Sequence, residues 1–373
     1  MRKPLAWGLL CALSPCLSRG LLAQERTTVG GYGEVHYTNA TGPNTPGIAN
    51  LARFVVYLAH GFNDRLAFRS ELEVENAKLE GGKAGGEVSL EQAYLDYRVA
   101  DALTIRTGLV LAPIGIINET HEPPTFNGVG RPGFDHDVIP TTWREIGIGA
   151  VGTIPGGAGL AYRVYLVNGL KAEGFDAVEG IREGRQEGQN ASFTNPSFTG
   201  RLEWARPGLK IGGSFWCGGS ADTNTAVGTG TFAAPVTLLS ADARFDLGAL
   251  ALRGVIANIS IGDAEAVNTV FGQSIGSRIA GGYLEGAYDV LHLLAPASSQ
   301  RLRAFARYER YDTQADVPTG VTRDPSLARR ITTMGLTYKP TWNVAFKGDY
   351  QLVRNAAGVG EYDVLSLGVG YQF

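Results

Sequence analysis

Polar and apolar residues alternate along much of this chain with a period of two. Between residues 65 and 76, Leu66, Phe68 and Leu72 share one parity, whereas charged side chains dominate the other. Successive side chains leave opposite faces of an extended strand, so the pattern predicts a strand with one apolar and one polar face. The final strand repeats it, with Leu365, Leu367, Val369, Tyr371 and Phe373 on the apolar parity. A strand of this kind at the end of the chain predicts a sheet that closes on itself.

The same alternation predicts about sixteen strands. They lie at about 28–38, 51–60, 65–76, 88–99, 103–112, 144–154, 159–169, 198–205, 209–217, 236–246, 249–259, 277–290, 300–311, 329–339, 342–354 and 362–373. Short links alternate with long ones, and the long ones include 113–143, 170–197, 218–235, 260–276 and 312–328. Short turns at one rim and long loops at the other are typical of outer-membrane barrels. The link 291–299 fits poorly, because a short turn is expected there.

A soluble β-sandwich or β-propeller is the alternative fold. A sandwich also alternates, but sixteen hairpin-linked strands would strain an open sheet. A propeller needs a blade-length repeat, and the sequence shows none. We therefore expect an all-β fold, a transmembrane antiparallel β-barrel with short periplasmic turns and long extracellular loops. Charges on the polar parity would then face the lumen, since each would cost roughly 2–4 kcal/mol in lipid.

Composition and the first residues indicate export to the cell outer membrane. Mean hydropathy is −0.03, and after the first 24 residues no apolar run approaches the roughly 20 residues of a spanning helix. Residues 1–23 combine Arg2 and Lys3 with an apolar stretch, which is typical of a secretory signal peptide. We expect 24–373 to be a single barrel domain. Without the leader, 30 basic residues face 36 acidic ones, which argues against nucleic acid as a partner.

Charges of both signs stand on the parity expected to face the lumen. The expected wall residues are Arg65, Arg69, Glu71, Glu73, Arg303, Arg307, Glu309, Lys347 and Asp349. They either form ion pairs that keep a wet wall open or create a transverse field that filters solutes by charge. Bases and acids are about equally numerous, so the wall predicts no net ion selectivity.

The link 113–143 is the strongest candidate for a functional segment. Loops of about thirty residues are usually functional. Apolar side chains such as Ile114, Phe134 and Trp143 indicate that it packs against something, and the barrel lumen is the obvious place. It would then narrow the pore. The expected constriction residues are Glu119, His121, Glu122, Arg131, Asp135, His136, Asp137, Arg144 and Glu145.

Two other interpretations of the charged residues carry less weight. The carboxylates and histidines of the loop could bind a divalent ion, but they match no recognised ligand spacing. Solvation and ion pairing account for them, and we expect neither a metal nor a cofactor. An enzyme would need a nucleophile held against a base, and the five histidines form no persuasive dyad with a serine. We therefore expect no enzymatic activity.

Several short motifs cluster between residues 91 and 149. They are EQAYLDY at 91–97, RTGLVLAP at 106–113 ahead of Asn118-Glu119, Arg131-Pro132, and IPTTWREIGIG at 139–149, with FARYE at 305–309 and GVGYQF at 368–373. In these motifs the chain resembles bacterial porins of the phosphate-selective porin O and P family. The resemblance implies a sixteen-stranded homotrimeric channel whose third loop folds inward. It also implies that Tyr371 and Phe373 form a signal for the barrel assembly machinery.

The expected function is that of an outer-membrane porin. Such a water-filled channel, set in outer-membrane lipid and lipopolysaccharide, passes small hydrophilic solutes or inorganic ions by diffusion. Selective binding of phosphate calls for a basic constriction, whereas the loop has five carboxylates, two arginines and no lysine. The alternative is a substrate-specific channel for phosphate, an organic acid or an oligosaccharide, with a saturable site. A third possibility is a structural or adhesive barrel whose exposed loops 170–197 and 218–235 meet a partner.

Overall fold

A computed structural model of the chain describes residues 26–42, 45–77, 85–222, 225–226 and 230–373. The expected signal peptide, 1–23, lies outside the described residues. Within the described ranges, no helix is both long enough and apolar enough to cross a membrane.

Sixteen antiparallel strands close into one barrel. They are β1 (Arg26–Ala40), β2 (Ile48–Gly61), β3 (Leu66–Glu75), β4 (Val88–Ala100), β5 (Leu103–Leu111), β6 (Arg144–Thr153), β7 (Leu160–Val167), β8 (Ser197–Arg206), β9 (Leu209–Gly218), β12 (Val236–Leu247), β13 (Leu250–Ile261), β14 (Arg278–Asp289), β15 (Arg301–Asp316), β16 (Ala328–Thr341), β17 (Val344–Asn355) and β18 (Tyr362–Gln372). Two short strands, β10 (Thr225–Ala226) and β11 (Gly230–Thr231), form a separate ribbon between β9 and β12. The last strand pairs with the first, from Tyr32 opposite Gln372 to Ala40 opposite Val364. The predicted closed barrel is confirmed, and closure satisfies the backbone groups that edge strands would expose.

The two rims of the barrel differ in the length of their connections. The short rim carries 62–65, 101–102, 154–159, 207–208, 248–249, 290–300 and 342–343. The long rim carries 41–47, 76–87, 112–143, 168–196, 219–235, 262–277, 317–327 and 356–361. Within the described parts of these connections there are three short α-helices: α1 (Phe134–Asp137), α2 (Ala264–Phe271) and α3 (Leu291–Leu294). The poorly fitting link 291–299 is on the short rim as expected, and α3 accounts for its length.

Apolar side chains cover the outside of the strands. Leu239, Ile256 and Leu284 are each at least 60% exposed, whereas the alternate neighbours Ser240 and Glu285 are buried on the inside. A surface so rich in large exposed apolar side chains is unfavourable in water and favourable in hydrocarbon. The exterior therefore fits a lipid environment.

Apolar side chains also fill part of the interior, next to the long rim. Val236, Leu238 and Ile259 point inward from β12 and β13 and are almost fully buried. They belong to one buried apolar cluster with side chains of loops 112–143 and 168–196, and we call the whole cluster the lumen core. Its other members include Ile114, Ile116, Ile117, Phe126, Phe134, Val138, Ile139, Trp143, Leu170, Phe175, Ile181, Trp216, Val255, Ile261, Ile275 and Ile279.

One expectation about the loops was wrong. The polar, glycine-rich composition of 170–197 predicts an exposed loop. Leu170, Phe175 and Ile181 are instead at most 2% exposed. The physical reason is hydrophobic burial: these three side chains belong to the same apolar cluster as the inward residues of β12 and β13, so the loop lies inside the barrel mouth rather than in solvent.

Candidate pore constriction

The loop 112–143, which we call the inward loop, is closed at its neck by one buried side chain. The Asn118 amide donates to the backbone oxygens of Ala112 at 2.7 Å and Trp143 at 2.9 Å. Its Oδ1 accepts from the Trp143 N–H at 2.7 Å. Together with the backbone hydrogen bond from the Ala112 N–H to the Trp143 oxygen at 2.9 Å, this asparagine holds the outgoing and returning chains together, and the thirty residues between them form a closed unit.

The wall strands hold the inward loop inside the barrel. Asp349 on β17 accepts from the Val129 N–H at 2.6 Å, and Glu309 on β15 accepts from the Phe134 N–H at 2.9 Å. The Asn127 amide donates to Glu285 on β14 at 2.9 Å. Hydrogen bonds to ionised carboxylates are stronger than neutral ones. The loop is therefore bound across the lumen, opposite the strands from which it starts.

The inner face of β18 lets the loop come close because it carries glycine. A Cβ added at Gly370 would lie 2.3 Å from the Cβ of Pro123, and one at Gly368 would lie 2.8 Å from Cγ1 of Val129. Real Cβ atoms do not approach so closely, so no other residue fits without moving the loop. These glycines alternate with the outward Leu367 and Val369, as the sequence pattern predicts.

A β-bulge directs Glu91 into the lumen. Opposite Glu71 and Leu72 of β3, the register of β4 passes from Gln92 to Leu90, so Glu91 is the extra residue. Its fully buried carboxylate accepts from the Tyr32 hydroxyl at 2.8 Å and from the Thr142 hydroxyl at 3.0 Å.

The imidazole of His121 completes this cluster from the inward loop. Its Nε2 lies 3.1 Å from Glu91, and its Nδ1 lies 3.0 Å from the backbone oxygen of Asn118. Arg53 donates to the backbone oxygen of His121 and pairs with Glu34 at 2.6 Å. Burial lowers the pKa of His121, but the Glu91 carboxylate more than offsets this and raises the pKa above its ordinary value. The first half of the loop is thus bound to β1, β2 and β4.

The second half of the inward loop carries charged side chains of both signs. Asp137 pairs with Arg329 on β16 and accepts from the Tyr311 hydroxyl at 2.7 Å. The exposed His136 lies 2.7 Å from Asp137. From loop 168–196, Arg182 donates to the backbone oxygen of Thr141 at 2.9 Å. The second long loop therefore binds the first along its returning chain.

Asp135 lies in α1, within the inward loop rather than in a spanning strand. Its side chain is fully buried. Burial and the negative charge of Glu309 raise the pKa of Asp135 to about 8, although Tyr283 and Arg307 act in the opposite direction. At neutral pH this carboxyl group therefore carries a proton most of the time and does not contribute a full negative charge to the constriction.

The other expected loop residues form separate pairs. Glu119 meets Arg163 of β7 at 3.2 Å, and Arg144 meets Glu187 of loop 168–196 at 2.9 Å. The remaining three do not join a common ring: Arg131 donates to the Thr142 hydroxyl at 3.1 Å, Glu145 accepts from the Asn168 amide at 2.6 Å, and Glu122 is half-buried beside Pro123. The structure thus distributes the predicted constriction residues along the whole loop.

The expected wall residues fall into three groups. Arg307 bridges Glu309 at 2.9 Å and Glu285 at 3.2 Å, and the Lys347 ammonium lies 3.8 Å from the centre of the Phe126 ring. Half-buried Arg69, Glu71 and Arg303, together with buried Glu73, face the lumen away from these contacts. Arg65 is exposed in the turn 62–65, and Tyr371 and Phe373 lie on the outside of β18 at the short rim.

Several residues of the site were missed by sequence reasoning. Glu91 begins the motif EQAYLDY and Asn118 belongs to the motif Asn118-Glu119, and these motifs were the only signal for the two residues. Arg53, Arg163, Arg182 and Arg329 had no signal, because their partners are distant in the sequence.

Basic side chains collect on the lumen wall near the short rim. Arg301 and Lys339 are directly opposite each other on β15 and β16, and like charges in that position repel. Arg303 lies within the field of both Arg301 and Arg253. Arg253 forms an ion pair with Glu285 at 3.3 Å, but the Glu285 carboxylate is also paired with Arg307. Asp246 and Asp289 also act on Arg303. The four basic side chains Arg253, Arg301, Arg303 and Lys339, which we call the basic cluster, therefore outnumber these two aspartates and the shared Glu285.

Comparisons with known proteins place this geometry among outer-membrane barrels. An uncharacterized protein of Aquifex aeolicus (strain VF5) is 35% identical over 359 residues, covering 93% of this chain and 80% of that protein. OmpF of Salmonella typhi in complex with daunomycin superposes with a TM-score of 0.61 at 15% identity, covering 94% of this chain and 98% of that one. No protein-family model matches the chain.

Two further solved structures show the same fold. The outer-membrane channel DcaP of Acinetobacter baumannii gives a TM-score of 0.58 at 11% identity, covering 94% of this chain and 97% of that one. The trimer form of in-vitro folded OmpT of Vibrio cholerae gives 0.55 at 12% identity, covering 94% and 99%. The fold of outer-membrane channels is thus confirmed, whereas membership of the phosphate-selective porin O and P family stays a prediction.

Proposed function

This chain belongs to the family of the Aquifex aeolicus protein, and from its barrel we propose that it is an outer-membrane porin for small hydrophilic solutes or ions. The observation that carries the proposal is the inward loop, which wall carboxylates bind inside a closed barrel with an apolar exterior. A loop fixed across a charged lumen restricts passage without needing a gate.

The proposal includes the expected setting. Residues 1–23 would be removed on export, and 24–373 would span the outer membrane as one domain, with the short rim in the periplasm. The trimer form of OmpT supports a homotrimer. Outer-membrane lipid, lipopolysaccharide and the barrel assembly machinery, through Tyr371 and Phe373, are the other proposed partners.

Planar-bilayer conductance of the purified chain across a potassium chloride gradient tests the proposal. We expect an ohmic conductance that increases when 119–137 is deleted, because the deletion removes the loop segment bound to β14, β15 and β17. Far-UV circular dichroism of the deletion variant controls for the fold of the barrel. A folded barrel without conductance would refute the channel. Equal conductance of the folded deletion variant would refute the loop as constriction.

The second candidate is a substrate-specific channel for an anion, such as phosphate or an organic acid. The basic cluster near the short rim favours it, because closely spaced cations bind oxyanions by charge and by multiple donors. This candidate predicts a reversal potential that indicates anion selectivity, and a current that phosphate blocks in a saturable manner.

Arg303→Gln separates the second candidate from the first. The basic cluster would lose one of its four cations, so block by phosphate should weaken and the reversal potential should indicate a lower selectivity for anions. Arg310→Gln is the matched control, because Arg310 is on the same strand but exposed on its outer face. If neither variant alters block or reversal potential, the anion-specific candidate is refuted and the general porin remains.

A further inference from the structure

The Glu91 cluster contains a set of metal ligands. Glu71 of β3, Glu91 of β4 and His121 of the inward loop each offer one ligand atom, and these atoms lie within 4.8 Å of one another. Bonds of about 2.0–2.2 Å to Zn²⁺ place neighbouring ligand atoms about 3–4 Å apart. A small adjustment of the Glu71 side chain is enough to bring all three to one ion.

The hydrogen bonds of His121 orient it as a metal ligand. Nδ1 faces the backbone oxygen of Asn118 and must donate to it, so Nε2 is the atom that faces Glu91 at 3.1 Å. Histidines that bind metals almost always donate their other ring N–H to a carbonyl or carboxylate in this way. Without a metal, the Nε2–H donates to Glu91, and a metal ion would take the place of that proton.

A buried carboxylate oxygen without a hydrogen-bond partner is further evidence for a bound cation. Oε2 of Glu71 is buried and accepts no hydrogen bond from any residue that the structure describes, and the same holds for Oε2 of Glu122. Buried acceptors without a partner are costly, more so when they carry charge. The fully buried Glu91 and the almost fully buried His121 form the other side of the same space.

We infer that Glu71, Glu91 and His121 bind a transition-metal dication, Zn²⁺ being the best match, and thereby join β3 and β4 to the inward loop. One nitrogen and two carboxylate ligands suit Zn²⁺, whereas Ca²⁺ takes six to eight oxygens. Metal binding at this site does not require conduction, so the test of the site is independent of the test of the proposed function.

Isothermal titration of the purified full chain in detergent micelles, freed of metal with a chelator, tests this inference. We expect one Zn²⁺ per chain, with release of protons, and a visible absorption spectrum for Co²⁺ in the same site. Glu71→Gln should weaken Zn²⁺ binding by more than the roughly 10- to 100-fold that a lost outer-shell partner costs. This variant retains the shape of a side chain on the barrel wall, so the loop contacts of His121 and Glu91 remain.

His121→Ala should weaken Zn²⁺ binding by at least as much. His136→Ala is the matched control: His136 is on the same loop and beside a carboxylate, Asp137, but outside the proposed set, so binding should be unchanged. Equal binding by Glu71→Gln and the parent chain would overturn the site. So would the absence of stoichiometric Zn²⁺ binding, or binding of Ca²⁺ in preference to Zn²⁺.

Discussion

Replacing Asn118 with alanine should release the neck of the inward loop. The substitution removes three hydrogen bonds, each worth about 1 kcal/mol, and leaves the buried Trp143 N–H without its acceptor, at a further 1–3 kcal/mol or so. The sum is about 4–6 kcal/mol. Since about 1.4 kcal/mol is a factor of ten, the population of loops whose neck has opened should increase at least a hundredfold.

The rate at which a buried thiol is labelled measures this population. Ile117 is 1% exposed and adjacent to Asn118, so Ile117→Cys reacts with a membrane-impermeant reagent only when the neck opens. Cys217, which is exposed on the barrel exterior, is first replaced with serine. Asn39→Ala, an exposed position on β1, is the control. Equal labelling rates in Asn118→Ala and Asn39→Ala would refute the role of the neck.

Three further predictions concern the contacts of the loop. Gly370→Val should displace the loop and cost about 1–3 kcal/mol of stability, whereas Gly286→Ala, where the new Cβ meets only one side chain at 3.4 Å, should have little effect on the melting temperature. Trp143→Ala should cost about 3–5 kcal/mol and abolish any near-ultraviolet dichroism from its contact with Trp216, whose ring centre is 4.2 Å away. The pKa of Asp135 is about 8 in the folded chain and roughly 3.9 in the unfolded chain, so the parent protein loses stability as the pH rises from about 4 to 8. Asp135→Asn does not have this loss, so the melting temperature of the variant should exceed that of the parent by an amount that increases over this pH range. An increase at pH 4.5 that equals the one at pH 8.5 would contradict the Asp135 prediction.

The alternation of side chains was enough to predict the barrel. At the end of the chain, Leu365 and Leu367 are outside and Ser366 is buried inside, as parity requires. The apolar residues of the inward loop also indicated its position, because Ile114, Phe134 and Trp143 had to be covered. These features depend on local patterns of two to thirty residues, which a single sequence displays.

The contacts that fix the loop could not be predicted in the same way. Val129 and Asp349 are 220 residues apart, and no local pattern connects them. Glu91 faces the lumen because a bulge adds one residue to its strand, and alternation alone does not locate a bulge. Phe175 is buried in one cluster with apolar residues of β12 and β13, and local alternation does not distinguish those residues from other strand positions.

The lumen core has a consequence for the order of assembly. Its side chains come from strands between β4 and β16 and from loops that join them, so they meet only when most of the wall is already in place. Contacts that form after the rate-limiting step of folding do not speed that step; they slow its reversal. The core should therefore determine how long the finished barrel persists rather than how fast it inserts, and a weakened core should shorten its lifetime without delaying insertion.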